Sequence, residues 1–102
     1  MLAVPVLAQA ANEYTLKYKD TNHWVAQEDI QPLRNVIKDA RSSRTRYFQV
    51  KLPSGDKNLQ VERLKILQNI LSRQLRSGVI IEQVPGEAGK NTILVTVAKR
   101  PY

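Results

Sequence analysis

The sequence predicts an α+β fold, a two-layer sandwich in the order β-α-β-α-β-β with two helices packed on one face of a mixed sheet. Three observations carry this prediction. Short segments alternate apolar and polar residues, two longer stretches repeat apolar residues at helical spacing, and Pro, Gly and Asn punctuate the connections. With 102 residues the chain can enclose one hydrophobic core and has no room for a second. Residues 11–102 are therefore read as a single domain.

Tyr14-Thr-Leu-Lys-Tyr18 alternates and reads as the first strand, followed by turn-forming side chains from Asp20 to His23. From Asp29 onward, Ile30, Leu33, Val36, Ile37 and Ala40 recur at the spacing of one helical face. Asp29 is the expected N-cap, and Pro32 sits in the first turn, where its missing amide hydrogen would have had no intrahelical partner. Arg41-Ser-Ser-Arg-Thr-Arg46 is expected to be a polar, basic connection. It leads into a second strand, Tyr47–Leu52, with Phe48, Val50 and Leu52 on one face. Pro53-Ser-Gly-Asp56 interrupts the pattern, and a helix of about twenty residues follows, with Leu64, Leu67, Ile70, Leu71 and Leu75 as its apolar stripe. Lys65, Arg73 and Arg76 are expected toward solvent, and Gly78 is the expected stop. Val79–Val84 and Thr92–Val97 are rich in β-branched residues and flank Pro85–Asn91, a loop of hairpin composition, so they are expected to pair antiparallel.

Sixteen Lys and Arg against nine Asp and Glu give a formal net charge of +7, which attracts polyanions such as nucleic acid, anionic head groups or acidic glycan. Residues 1–40 carry four basic and five acidic groups, and residues 41–102 carry twelve and four, so an anion-binding face belongs to the second part. The absence of cysteine excludes disulfides, thiolate metal sites, a thiol nucleophile and a lipid-bearing cysteine. His23, the one histidine, has no second histidine or cysteine to complete a zinc site, and no base or nucleophile beside it. There is no glycine-rich phosphate loop, nucleophile elbow or metal-binding helix motif. No catalysis, cofactor or metal is expected. Trp24 is expected to cap the edge of the core. Met1–Ala10 is an apolar run closing in Ala8 and Ala10, like the end of a secretory signal cleaved after Ala10, though without a basic n-region. The alternative for residues 1–10 is a disordered tail. No segment has the roughly twenty apolar residues needed to span a membrane.

The stretch Asp56-Lys-Asn-Leu59-Gln-Val-Glu-Arg63-Leu64 is similar to the Asn-x-x-Leu-Ser-x-x-Arg-Ala opening of the long helix in OmpA-like periplasmic domains. Leu59 and Arg63 keep the family's spacing, while Asp, Gln and Leu replace its Asn, Ser and Ala. Leu67, Leu71 and Gly78 resemble the family's helix pattern and glycine stop. Over about residues 14–97 the order of elements resembles this family, including the shortened CpaD-type accessory proteins of pilus and secretion machines. The resemblance implies a non-catalytic envelope accessory in the periplasm, peripheral to the outer membrane. Its implied partners are protein components of a pilus or secretion assembly, together with peptidoglycan. The family's Gly-His-Thr-Asp loop is replaced here by Leu52-Pro53-Ser54-Gly55, which implies weak or lost peptidoglycan binding.

Arg63 and Asp56 are the candidate ligand residues, because an arginine at the start of a helix can pair bidentately with a carboxylate where the helix dipole also favours an anion. A solvated surface arginine is the plain alternative. Arg41, Arg44 and Arg46, with Lys51 nearby, form a second candidate, an anionic-ligand surface. A small basic cytoplasmic module that binds nucleic acid is the alternative function. In that case residues 1–13 are a tail, and Tyr47 or Phe48 would be sought for base stacking. A protein partner is expected on the exposed sheet face or on the edge of the carboxy-terminal strand, with Pro101 blunting further extension.

Overall fold

A computed structural model of the chain describes residues 12–19 and 27–98. The expected signal-like run, the turn at Asp20 to His23, Trp24 and Pro101 lie outside the described residues. The six elements come in the expected order: β1 (Glu13–Lys17), α1 (Gln31–Ser43), β2 (Tyr47–Leu52), α2 (Lys57–Leu75), β3 (Ile80–Glu87) and β4 (Thr92–Ala98). The two helices pack with a four-stranded mixed sheet of order β1-β4-β2-β3.

One pairing departs from expectation. β3 and β4 do not form a hairpin: β3 pairs parallel with β2, and β4 runs antiparallel between β1 and β2. Residues 88–91 therefore cross the end of β2, where Ala88 N donates to Leu52 O (3.1 Å). Two strand spacings are about 10 Å, and four extended residues reach about 13 Å, so the short link suffices. Burial explains the choice. Ile93, Val95 and Val97 on β4 are buried, whereas six of the eight β3 residues are exposed. The most apolar strand takes the interior, and the strand with Glu82, Pro85 and Glu87 takes an edge. β4 thus has neighbours on both sides and offers no free edge to a partner, contrary to expectation.

The core lies between the helices and one sheet face. Leu16 and Tyr18 of the β1 segment meet Leu33, Val36 and Ala40 of α1, Phe48 and Val50 of β2, and Leu67 and Leu71 of α2. Ile30 falls outside it, 55% exposed, because α1 begins one residue later. Ile30 is the N-cap residue itself, while Asp29 Oδ1 accepts from Gln31 N (3.0 Å) beside it. The first helix also runs further than expected, so Arg41 belongs to its last turn and not to the connection. Gly78 is not the residue that ends α2. Arg76 turns left-handed there (φ 54°), and Ser77 N donates to Ser72 O (3.1 Å). Arg44 does the same at the end of α1 (φ 56°), with Thr45 N donating to Ala40 O (3.1 Å). Each is the closure usually given to glycine, and a side chain in that conformation costs about 1–2 kcal/mol.

Candidate functional site

The periodicity of α2 decides where Arg63 goes. The buried residues of this helix are Gln60, Arg63, Leu67 and Leu71, one stripe at spacings of three and four, so the arginine occupies the core-facing stripe one turn before Leu67. It is 1% exposed and is not a solvated surface arginine. Its guanidinium carbon lies 4.6 Å from the centroid of the Tyr18 ring, close enough for a cation–π contact. Nη2 donates to Asn91 Oδ1 (3.1 Å), whereas Nε and Nη1 are buried without a hydrogen-bond partner. No carboxylate forms an ion pair with Arg63 among the described residues. A cation buried with one neutral acceptor, and with further N–H groups unpaired, is an energetic debit of several kcal/mol.

Tyr18 feels this charge. Burial pushes its phenol above the ordinary value, while a hydrogen bond to Gln27 and the positive charge of Arg63 pull it partly back. Asn91 is itself held from two directions: it adopts the left-handed conformation (φ 53°), and its backbone oxygen accepts from Tyr18 N (2.8 Å). Asn91 also lines a cleft of about 490 Å³ with Pro53, Ser54, Asp56, Gln60, Glu87 and Lys90, whereas Arg63 lies behind its lining. Gln60 Oε1 is buried and unpartnered. Asn91 therefore links Arg63 and the cleft: its side-chain oxygen accepts from Arg63, and the same residue lines the cleft.

Asp56 has a different task from the one expected. It is exposed, and its Oδ1 accepts from Leu59 N (3.0 Å), so it caps α2 at the mouth of the cleft. Asp56 and Arg63 are seven residues apart, about two helical turns, and the structure separates them into an exposed cap and a buried cation.

The second candidate group is only partly assembled. Arg41, Arg44 and Arg46 line one cleft of about 510 Å³ with Ala40, Thr45, Gln74, Leu75 and Arg76. Arg76 was missed in the sequence because it is thirty residues from Arg46, and only the packing of α1 against α2 brings the two helix ends together. Lys51 does not belong here. It points from the outer sheet face to Glu13 (Nζ–Oε2 3.7 Å). Phe48 is fully buried, and the Tyr47 hydroxyl hydrogen-bonds Glu82.

A third concavity, about 560 Å³, lies between α2, the end of β2 and Gln83 of β3, and is lined by Leu52, Pro53, Val61 and Leu64. Val61 and Ile66 on α2 are exposed. Among the described residues no three His, Asp or Glu side chains gather as metal ligands, and no helix is long and apolar enough to cross a membrane.

No family model matches the chain, no curated protein matches it, and no solved structure matches it.

Proposed function

We propose that the protein is a non-catalytic accessory of the bacterial cell envelope, exported to the periplasm. In this reading it scaffolds a pilus or secretion assembly and weakly holds a peptidoglycan carboxylate at Arg63. The observation that carries the reading is the buried Arg63 guanidinium, which among the described residues has two unpartnered nitrogens and the Asn91 amide as its one acceptor, close to an open cleft that Asn91 also lines. A fold that places a charge there at a cost, with no carboxylate among the described residues paired to it, is prepared for an incoming anion. The planar fork of arginine suits a carboxylate better than lysine would. The spacing of Leu59 and Arg63, shared with OmpA-like domains, supports the identity of the ligand. The apolar groove beside Val61 and Leu64 supports contact with protein partners.

The nucleic-acid reading draws less support, because the aromatic residues near its arginines are buried or engaged. Co-sedimentation of the purified chain with peptidoglycan sacculi tests the proposal, with Arg63→Lys as the folded control that keeps the charge and loses the fork. Wild type sediments and Arg63→Lys does so at least about tenfold more weakly. Equal binding by the two disproves the site.

A further inference from the structure

A second anion site lies at the other end of α2. Arg63 and Arg76 are thirteen residues apart, about 20 Å along a helix, so this site is separate from the one proposed for peptidoglycan. We infer that the cleft lined by Arg41, Arg44, Arg46 and Arg76 binds a phosphate monoester. Four arginines line one concavity that has no acidic residue in its lining. Among the described residues none of the four forms an ion pair. Arg41 is oriented by donating from Nη2 to Gln74 O (2.9 Å) and Gln74 Oε1 (3.4 Å), which ties the last turn of α1 to the last turn of α2.

Compensation of helix dipoles explains basic residues inside the final turns, such as Arg41 and Arg73. It acts on the C-cap residues Arg44 and Arg76 as well, but it does not account for arginine at those backbone conformations. Both occupy left-handed closing positions where glycine is conformationally easier, and both line this cleft. Strain accepted twice at one place, each time with an arginine, is the mark of a site held for a ligand.

The geometry favours a compact dianion over a nucleic-acid strand. The cleft is confined to the junction of the two helix ends, and among the described residues no free aromatic platform adjoins it, since Phe48 is buried and Tyr47 is bonded to Glu82. Guanidinium forks pair two by two with phosphate oxygens, and a monoester offers more charge and more acceptors than a diester.

The test uses the full chain and the double variant Arg44→Gly/Arg76→Gly, whose glycines suit the left-handed positions and so keep the fold. Inorganic phosphate, titrated at constant ionic strength against chloride, should raise the melting temperature of the wild type. The variant should melt higher than wild type without ligand, and its apparent phosphate affinity should be weaker by about tenfold or more. Vesicles containing phosphatidic acid, compared with phosphatidylglycerol at equal charge, identify the source. Selective binding to phosphatidic acid places the monoester on a lipid, and binding of phosphate without vesicle binding places it on a soluble molecule. The inference is overturned if phosphate acts no differently from chloride, or if the variant responds as the wild type does. It is also overturned if a single-stranded oligonucleotide binds the cleft more tightly than phosphate does.

Discussion

Replacing Asn91 by Asp would put a carboxylate where the structure now has an amide. Asn91 Oδ1 already accepts from Arg63 Nη2 at 3.1 Å, so the substitution keeps the shape and adds the missing charge. Asp tolerates the left-handed conformation of residue 91 nearly as well as Asn does, which removes backbone strain as a confounder. Deleting one partner of a buried ion pair costs about 3–5 kcal/mol, and the natural chain resembles such a half-pair. Restoring the partner recovers part of that, offset by desolvation of a carboxylate at a half-buried position, for a net gain of about 1–3 kcal/mol. For a domain of this size each kcal/mol moves the melting temperature by about 4–8 °C, so a rise of at least about 5 °C is expected at neutral pH. The sign with pH follows from the pairing. Arg63 lowers the folded carboxyl pKa below its unfolded value of about 3.9, so the gain is present above that value and is lost as pH falls through the folded pKa. Thermal melts of both proteins, followed by circular dichroism at neutral pH and near pH 2, measure this. The same variant should lose peptidoglycan binding, because its own carboxylate occupies the fork. A neutral-pH melting temperature equal to or below wild type would refute the picture of an uncompensated cation at Arg63.

Other expectations follow from the same geometry. Asp56→Ala should cost about 1 kcal/mol through loss of the cap on Leu59 N, while Asp56→Ser, which can cap, should be close to neutral in chemical denaturation. Gly86 has φ 127° in β3, and an added Cβ would stand 2.9 Å from Lys51 Cδ. Gly86→Ala should therefore cost about 1–3 kcal/mol, mostly from the backbone since the lysine end can move. Leu67→Ala, in the fully buried stripe of α2, should cost about 2–5 kcal/mol. Tyr18 should ionise later than a free phenol, because burial raises its pKa. A raised phenol pKa means that the folded state holds its proton longer, so stability is unaffected below about pH 10 and falls as pH rises past it. A phenolate absorbance titration checks this, and Arg63→Met, which removes the opposing positive charge, should delay Tyr18 further.

Much of the fold was legible because local patterns report local structure. β2 matches its expected bounds, and the helical stripes identified Leu33, Val36, Ala40, Leu67 and Leu71 as core. The burial of Arg63 was also within reach: stepping back from Leu71 and Leu67 by four gives residue 63. A charged side chain is ordinarily placed outside on chemical grounds, and here geometry overrode chemistry. The hairpin expected from Pro85-Gly86 was not formed because a turn signal weighs a few residues, whereas strand order weighs the whole apolar surface of Ile93, Val95 and Val97.

The sequence by itself determined the six elements, their order, the two-layer α+β class and the concentration of basic charge after residue 40, all of which depend on neighbours within a few positions. Tertiary structure alone decided that β4 lies between β1 and β2, that Arg76 joins Arg41, Arg44 and Arg46, that Lys51 leaves them for Glu13, and that Asn91 meets Arg63 across twenty-eight residues. Such contacts are set by which surfaces the folded chain must remove from water, a quantity summed over the molecule and carried by no single segment.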